Sequence, residues 1–269
     1  MDPAELNYLE TNRDSWNKRT EIHYSSAFYD LEGFIAGKSS LQDIELQLLG
    51  DIQNKSVLHL QCHFGQDTLS LARMGAEVTG VDFSDAAIKK ATELAEIVQQ
   101  KARFICADIY NLPAHLNEQF DIVFTSYGTI GWLPDLEKWA KIVSHFLKPG
   151  GSFVFAEFHP VVWMFDNDFT QIQYNYFKDN AIIETETGTY ADKKSEMERT
   201  DITWNHSLHE VLGSLLSEKL NLQTFQEFPY SPYNCLSGMQ ELSPGRFIIE
   251  KLGAKIPLVY ALKMNKINA

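Results

Sequence analysis

From Ser56 onward the sequence alternates short apolar runs with segments of helical period, and this alternation limits the possible fold more than any other feature. SVLHL, AEVTGVD, ARFICAD, FDIVFTSYG and GSFVFAEF read as strands. Between them, QDTLSLARMG reads as a helix ending at Gly75, and SDAAIKKATELAEIVQQ as one opening at Ser84. PDLEKWAKIVSHFL reads as a third, with Pro134 suited to its first turn. Strand then helix, repeated, with nearly continuous apolar strands, requires a parallel sheet covered on both faces. The expected fold is therefore α/β.

The flanks differ. Residues 1–53 read as an N-terminal helical cap, with Ser40 as N-cap of LQDIELQLL and Gly50 as its stop. Residues 54–159 form the core, and 160–204, rich in aromatic, Thr and acidic residues, read as an antiparallel cap insertion rather than a separate domain. Residues 205–269 supply a helix opened by a Ser207–Glu210 capping box and a strand pair, LQTFQEF and PLVYALKM. The whole is expected to be one domain.

Composition narrows the function. A net charge of −13 repels phosphate backbones, and the basic pairs Lys89–Lys90 and Lys193–Lys194 are too short to offset it, so no nucleic-acid partner is expected. No apolar run reaches the roughly 18 residues of a membrane span, and MDPAELNYLETNRDSW lacks the layout of a secretory signal. Three scattered cysteines, Cys62, Cys106 and Cys235, read as reduced, buried thiols, which implies a cytoplasmic setting. Oligomeric state is not legible.

The first strand runs into a turn, QCHFG, where a dinucleotide fold would need glycine for close approach of a pyrophosphate. Gln61 and His63 occupy two such places and only Gly65 remains, so a dinucleotide is disfavoured while a ligand without phosphate could lie across residues 61–65. Asp82 ends the second strand 17 residues beyond Gly65, near the spacing of an acid that accepts from both ribose hydroxyls; the competing role is capping the next helix, for which Ser84 is available. Asp108 ends the third strand, either as a turn residue or as an acceptor for an adenine amino group, with Ile109 and Phe83 able to cover the base. A nucleoside joined to an amino acid fits all three strand ends.

These residues resemble a known family. VLHLQCHFGQDTLSLARMGAEVTGVDFSDAAI is similar to the first two motifs of the class I S-adenosylmethionine-dependent methyltransferases, in a bacterial small-molecule type with HFG in the glycine motif. CADIYNLP resembles their adenine-binding strand end, FDIVFTSYGTIGWLPD their fourth-strand motif and LKPGGSFVFAEFHP their fifth strand. The resemblance spans about residues 54–160. It implies a Rossmann-like sheet of seven mostly parallel strands with helices on both faces, the last strand antiparallel, and S-adenosylmethionine as cofactor, with S-adenosylhomocysteine as product. The cofactor would be held by Gln61, Cys62, His63, Gly65, Asp82 and Phe83, with Asp108, Ile109, Ser126 and Tyr127; Ser126 and Tyr127 would flank the methionine moiety. The chain departs from the family at His59, where an acid is usual, and at Gln61 and His63.

Methyl transfer from a sulfonium is a one-step displacement in which the protein positions the nucleophile and excludes water, so no universal base is needed. Tyr127 is a candidate for positioning. His159, after the fifth strand and before Pro160, is the first candidate for a general base, the alternative being a histidine bonded to backbone. His23 and His206 are weaker candidates, and neither His206 with His209 nor His59 with Cys62 and His63 makes a metal set. Aromatic residues in the cap (Trp16, Tyr24, Phe28, Tyr29) and insertion (Trp163, Phe165, Phe169, Tyr174, Tyr176) suggest a closed, apolar acceptor pocket. The reading is a small-molecule methyltransferase; the alternatives are a non-catalytic binder of the same cofactor and, disfavoured by the turn, a nicotinamide oxidoreductase.

Overall fold

The computed structural model describes residues 7–268, so the first six residues of the polar N-terminus lie outside it. Five strands, β1 (Ser56–Leu60), β2 (Glu77–Asp82), β3 (Arg103–Cys106), β4 (Phe120–Ser126) and β5 (Leu147–Phe158), follow the apolar runs of the core. Two later strands, β8 (Leu220–Phe228) and β11 (Val259–Lys266), complete a seven-stranded sheet of order β3-β2-β1-β4-β5-β11-β8. Its strands pair in parallel except β11, which runs antiparallel to both β5 and β8. The expected Rossmann-like sheet with its last strand antiparallel is what the chain forms.

Side-chain alternation along these strands builds two cores. Leu58, Val123, Phe153, Phe155 and Leu262 face one side, where α6 (Leu136–Phe146) brings Trp139 and α7 (Leu208–Ser217) brings Val211 and Leu215. Val57, Phe124, Val154 and Ala261 face the other, beneath Ile44 and Leu48 of α3 (Asp43–Leu49). Leu69 of α4 (Gln66–Arg73) and Leu94 of α5 (Asp85–Ile97) pack with Phe34 of α2 (Leu31–Ile35). Each face thus buries the apolar stripe of its helices.

Several local expectations change. The cap of α3 is Gln42, not Ser40: Glu45 closes a capping box with it, and Gly50, at φ 63°, ends the helix as expected. Pro134 stands before the Asp135 N-cap of α6 rather than in its first turn. Ser207 does cap α7, accepting from the Glu210 N–H at 3.2 Å, but the Glu210 carboxylate turns to His206 Nδ1 at 3.1 Å, so only half of the box forms. Cys106 is exposed, which corrects the reading of three buried thiols. A hairpin between β8 and β11, β9 (Met239–Ser243) with β10 (Arg246–Ile249), had no strong periodicity to announce it. Among the described residues no helix is long and apolar enough to cross a membrane.

The insertion is the expected antiparallel hairpin, β6 (Ile182–Thr187) with β7 (Glu198–Thr203). It is tied to the first cap helix, α1 (Tyr8–Ser25), by polar rather than apolar contacts. The Asn12 amide donates to Ile202 O at 2.7 Å and accepts from Ile202 N at 2.9 Å, so one side chain extends the β7 ladder. Asp201 accepts from Ser15 at 2.7 Å and from the guanidinium groups of Arg19 and Arg199. This clamp holds two cations around one buried carboxylate. Asp201→Ala leaves the Arg19 guanidinium without its carboxylate, while Arg199 keeps Glu186, and its expected cost is about 3–5 kcal/mol in urea unfolding, against a change under about 1 kcal/mol if the cluster were solvated.

Candidate active site

A cavity of about 950 Å³ opens at the carboxyl ends of the strands. Its floor is the turn after β1. Gln61, His63 and Gly65 all have positive φ, at 56°, 50° and 79°. These are the three places where the family motif carries glycine, so the glycine-type backbone persists although two glycines do not. For residues with a Cβ this conformation costs about 1–2 kcal/mol each. Hydrogen bonds offset the cost: Cys62 N–H donates to Val81 O at 2.9 Å, His63 N–H to Asp82 Oδ2 at 2.8 Å and Gly65 N–H to Cys62 O at 3.0 Å. These three N–H groups are thus spent inside the protein and are not free to meet a ligand.

Each non-glycine side chain of the turn also holds a neighbour. The Gln61 amide donates to Thr129 O at 2.8 Å, tying the turn to the loop after β4. His63 Nε2 lies 3.2 Å from His23 Nδ1, tying it to α1. Burial is the main force lowering both imidazole pKa values, that of His23 to about 3, with Arg19 adding to it, so the pair is neutral. At Gly65 there is no room for a side chain, since a Cβ would lie 2.8 Å from the Phe104 ring and 3.0 Å from Ala91.

Asp82 sits beside the turn with its two oxygens oriented by backbone, Oδ1 accepting from Ser84 N–H at 2.9 Å and Oδ2 from His63 N–H. Ser84 caps α5, and Asp82 braces that cap, so both roles considered for Asp82 meet in one carboxylate. Burial raises its pKa to about 6, against the lowering by these bonds. Phe83, Asp108 and Ile109 gather next to it around a second, narrow space of about 30 Å³, room for about two waters, with Tyr8 and Leu9 of α1 over it. Burial raises the Asp108 pKa as well.

The loop after β4 is held by Glu157, whose carboxylate accepts from the N–H groups of Gly128 (2.5 Å), Thr129 (2.7 Å), Ile130 (3.3 Å) and Phe158 (2.6 Å). Sequence reasoning missed this residue; a buried acid inside an apolar strand was its signal. Ser126 and Tyr127 line the cavity as expected, and the Tyr127 hydroxyl donates to Glu45 Oε2 at 2.7 Å. Glu45 and Asp67 were also missed. Trp16, Phe28, Tyr29, Phe165, Phe169 and Tyr174 line the cavity, with Trp163. Tyr24 instead packs on Phe64, and the Tyr176 hydroxyl accepts from Leu208 N–H at 3.2 Å.

His159 is not brought to the cavity. Its ring packs edge-on to Tyr260, Nε2 lies 2.9 Å from Glu227 Oε1 and Nδ1 accepts from Val161 N–H at 3.2 Å. Strand alternation explains this: His159, two residues after Glu157, falls on the face of the sheet that carries Tyr260 and Glu227. The candidate base is thereby corrected to a structural histidine, the alternative held open for it. His206 is likewise structural, with Nε2 at 2.8 Å from Leu133 O, and His59 Nδ1 lies 2.8 Å from Thr68 Oγ1. Among the described residues no group of three or more His, Cys, Asp or Glu side chains is arranged to hold a metal ion.

Comparison with known proteins agrees with this geometry. Residues 57–151 match the family model described as a methyltransferase domain. Residues 57–151 thus carry a methyltransferase domain. The chain is 34% identical over 116 residues to the ubiquinone biosynthesis O-methyltransferase of Coxiella burnetii, covering 43% of this chain and 48% of that protein. It is 32% identical over 133 residues to an uncharacterized methyltransferase of Synechocystis, covering 49% and 60%. The chain thus spans about half the length of the curated relatives it matches. An S-adenosylmethionine-dependent methyltransferase structure from Clostridium acetobutylicum shares the fold with a TM-score of 0.57 at 19% identity, covering 94% of this chain and 99% of that one.

The Glu45 carboxyl provides a test of the site's electrostatics. Burial raises its pKa from 4.5 to about 8, with Asp67 adding to the rise. The folded chain therefore keeps this proton through a pH range in which the unfolded chain has lost it. The contribution to stability is complete below pH 4.5 and disappears as pH approaches 8. Relative to wild type, Glu45→Gln should gain stability across that window, by about 2 kcal/mol or more between pH 5 and 8 in urea unfolding; a difference independent of pH would contradict the assignment.

Proposed function

We propose that the chain transfers a methyl group from S-adenosylmethionine to a small-molecule acceptor by in-line displacement. The observation that carries this reading is the turn of residues 61–65, left-handed at all three motif positions and hydrogen-bonded to Asp82 at the cavity floor. Bound S-adenosylmethionine supplies a methyl group already activated on a sulfonium. The residues suit such a ligand in their chemistry: a carboxylate for ribose hydroxyls, an apolar pair and a second acid for a purine, and an acidic, aromatic cavity for a cation.

In this reading Asp82 accepts from the ribose hydroxyls, Phe83 and Ile109 flank the adenine, and Asp108 accepts from its amino group. Gln61, Cys62, His63 and Gly65 pass beneath the ligand, and Ser126 and Tyr127 flank its methionine end. The space beside Asp108 is smaller than a purine, so admission of the base requires the first turn of α1, with Tyr8 and Leu9, to shift. The aromatic walls exclude water and orient the acceptor. The O-methyltransferase named among the relatives favours an oxygen acceptor. The non-catalytic reading drew on the lost glycines, and the turn keeps positive φ without them.

Titration calorimetry with S-adenosylmethionine tests the cofactor site. Asp82→Ala removes an acceptor of charge-assisted hydrogen bonds worth about 1.5–3 kcal/mol, an expected loss of about 10- to 100-fold in affinity. Unaltered affinity in a folded variant would remove Asp82 from the site. Isotope transfer to phenolic and amine acceptors then tests catalysis.

A further inference from the structure

Most of the acids around the cavity are balanced by identifiable donors. Asp201 meets two guanidinium groups, Glu186 meets Arg199, Asp82 meets two backbone N–H groups and Glu157 meets four. Asp67 does not follow this pattern. It lies in the first turn of α4 and lines the cavity. Its Oδ1 accepts from Ser40 Oγ at 2.6 Å and Oδ2 from Ser126 Oγ at 3.2 Å. Among the described residues it forms no ion pair.

Two neutral hydroxyls are weak compensation for a carboxylate in this setting. Burial is the main cause raising the Asp67 pKa, and its charge contributes to the raised values of Glu45, Tyr127 and Tyr233 nearby. Lys38, which lines the same cavity, is paired with Asp30 instead. The acid usual on β1 cannot answer for the ligand here, because His59 is buried, neutral and bonded to Thr68, with its pKa lowered to about 3 by burial.

We infer that Asp67 is the counter-charge for the ammonium group of the cofactor's methionine moiety, supplied from α4 in place of the acid absent from β1. The inference rests on the cofactor reading above. An ammonium carries three N–H donors and the Asp67 oxygens retain free lone pairs, whereas a sulfonium has no N–H to offer them. Ser126, which the resemblance puts beside the methionine moiety, is the residue that holds Asp67 Oδ2, so the charge stands at that end of the ligand. Ser40 and Ser126 are positioning residues that fix the carboxylate.

The test is calorimetric binding of S-adenosylhomocysteine, its deaminated analogue and its decarboxylated analogue to wild type, Asp67→Asn and Ser126→Ala. Wild type should bind S-adenosylhomocysteine about 10- to 100-fold more tightly than the deaminated analogue, the value of one charge-assisted contact. Asp67→Asn should bind these two alike, and should bind the deaminated anion more tightly than wild type does. Ser126→Ala, which keeps the charge, should keep the preference for the amine. A preference that survives in Asp67→Asn overturns the inference, as does an equal loss of all three ligands, which would mark Asp67 as a purely structural brace. Failure of folded wild type to bind any of the three removes the cofactor reading and this inference with it.

Discussion

The site depends on a backbone conformation that its own sequence does not favour. Residues 61, 63 and 65 are left-handed, and only the last is glycine. What holds the other two is a set of directed hydrogen bonds, of which His63 N–H to Asp82 has the widest consequences. It fixes the turn, orients the carboxylate and, through Ser84, braces the start of α5. The same bond explains how a glycine motif can lose two glycines. The added side chains reach outward to Thr129 and His23, and the strain they bring is shared with the β4 loop and the cap helix.

Around that turn the protein arranges charge by a consistent rule. Cavity acids that serve the fold are matched to backbone N–H groups or to arginine, as Glu157 and Asp201 are. Glu45 is matched by keeping its proton, since burial makes ionisation costly. The cap and insertion meet through the Asn12 and Asp201 contacts, so the roof of the cavity is a polar clamp lined by aromatic rings. Such a roof holds its shape while leaving an apolar interior for an acceptor.

Much of the fold was legible because apolar alternation carries it. Val57 against Leu58, and Phe153 against Val154, assign the two faces of the sheet directly. The β9–β10 hairpin was not legible, since its strands lie largely exposed and show little contrast between faces. In the site, Asp82, Phe83, Asp108 and Ile109 come together because strand ends converge by topology. His159 failed because position at a strand end does not by itself say which face of the sheet a side chain takes. Asp67, Glu45 and Glu157 were hidden for a different reason: their importance lies in what surrounds them in space, and sequence spacing carries no record of Ser40, Tyr127 or the β4 loop beside them.

The role proposed for the glycine-depleted turn is to lie beneath a nucleoside. A crystal structure with S-adenosylhomocysteine tests it most directly. The account predicts positive φ at Gln61, His63 and Gly65, the His63 N–H still on Asp82, and the ribose hydroxyls on the same carboxylate. A turn refolded to negative φ at residues 61 and 63, or a ligand bound away from Asp82, would contradict it.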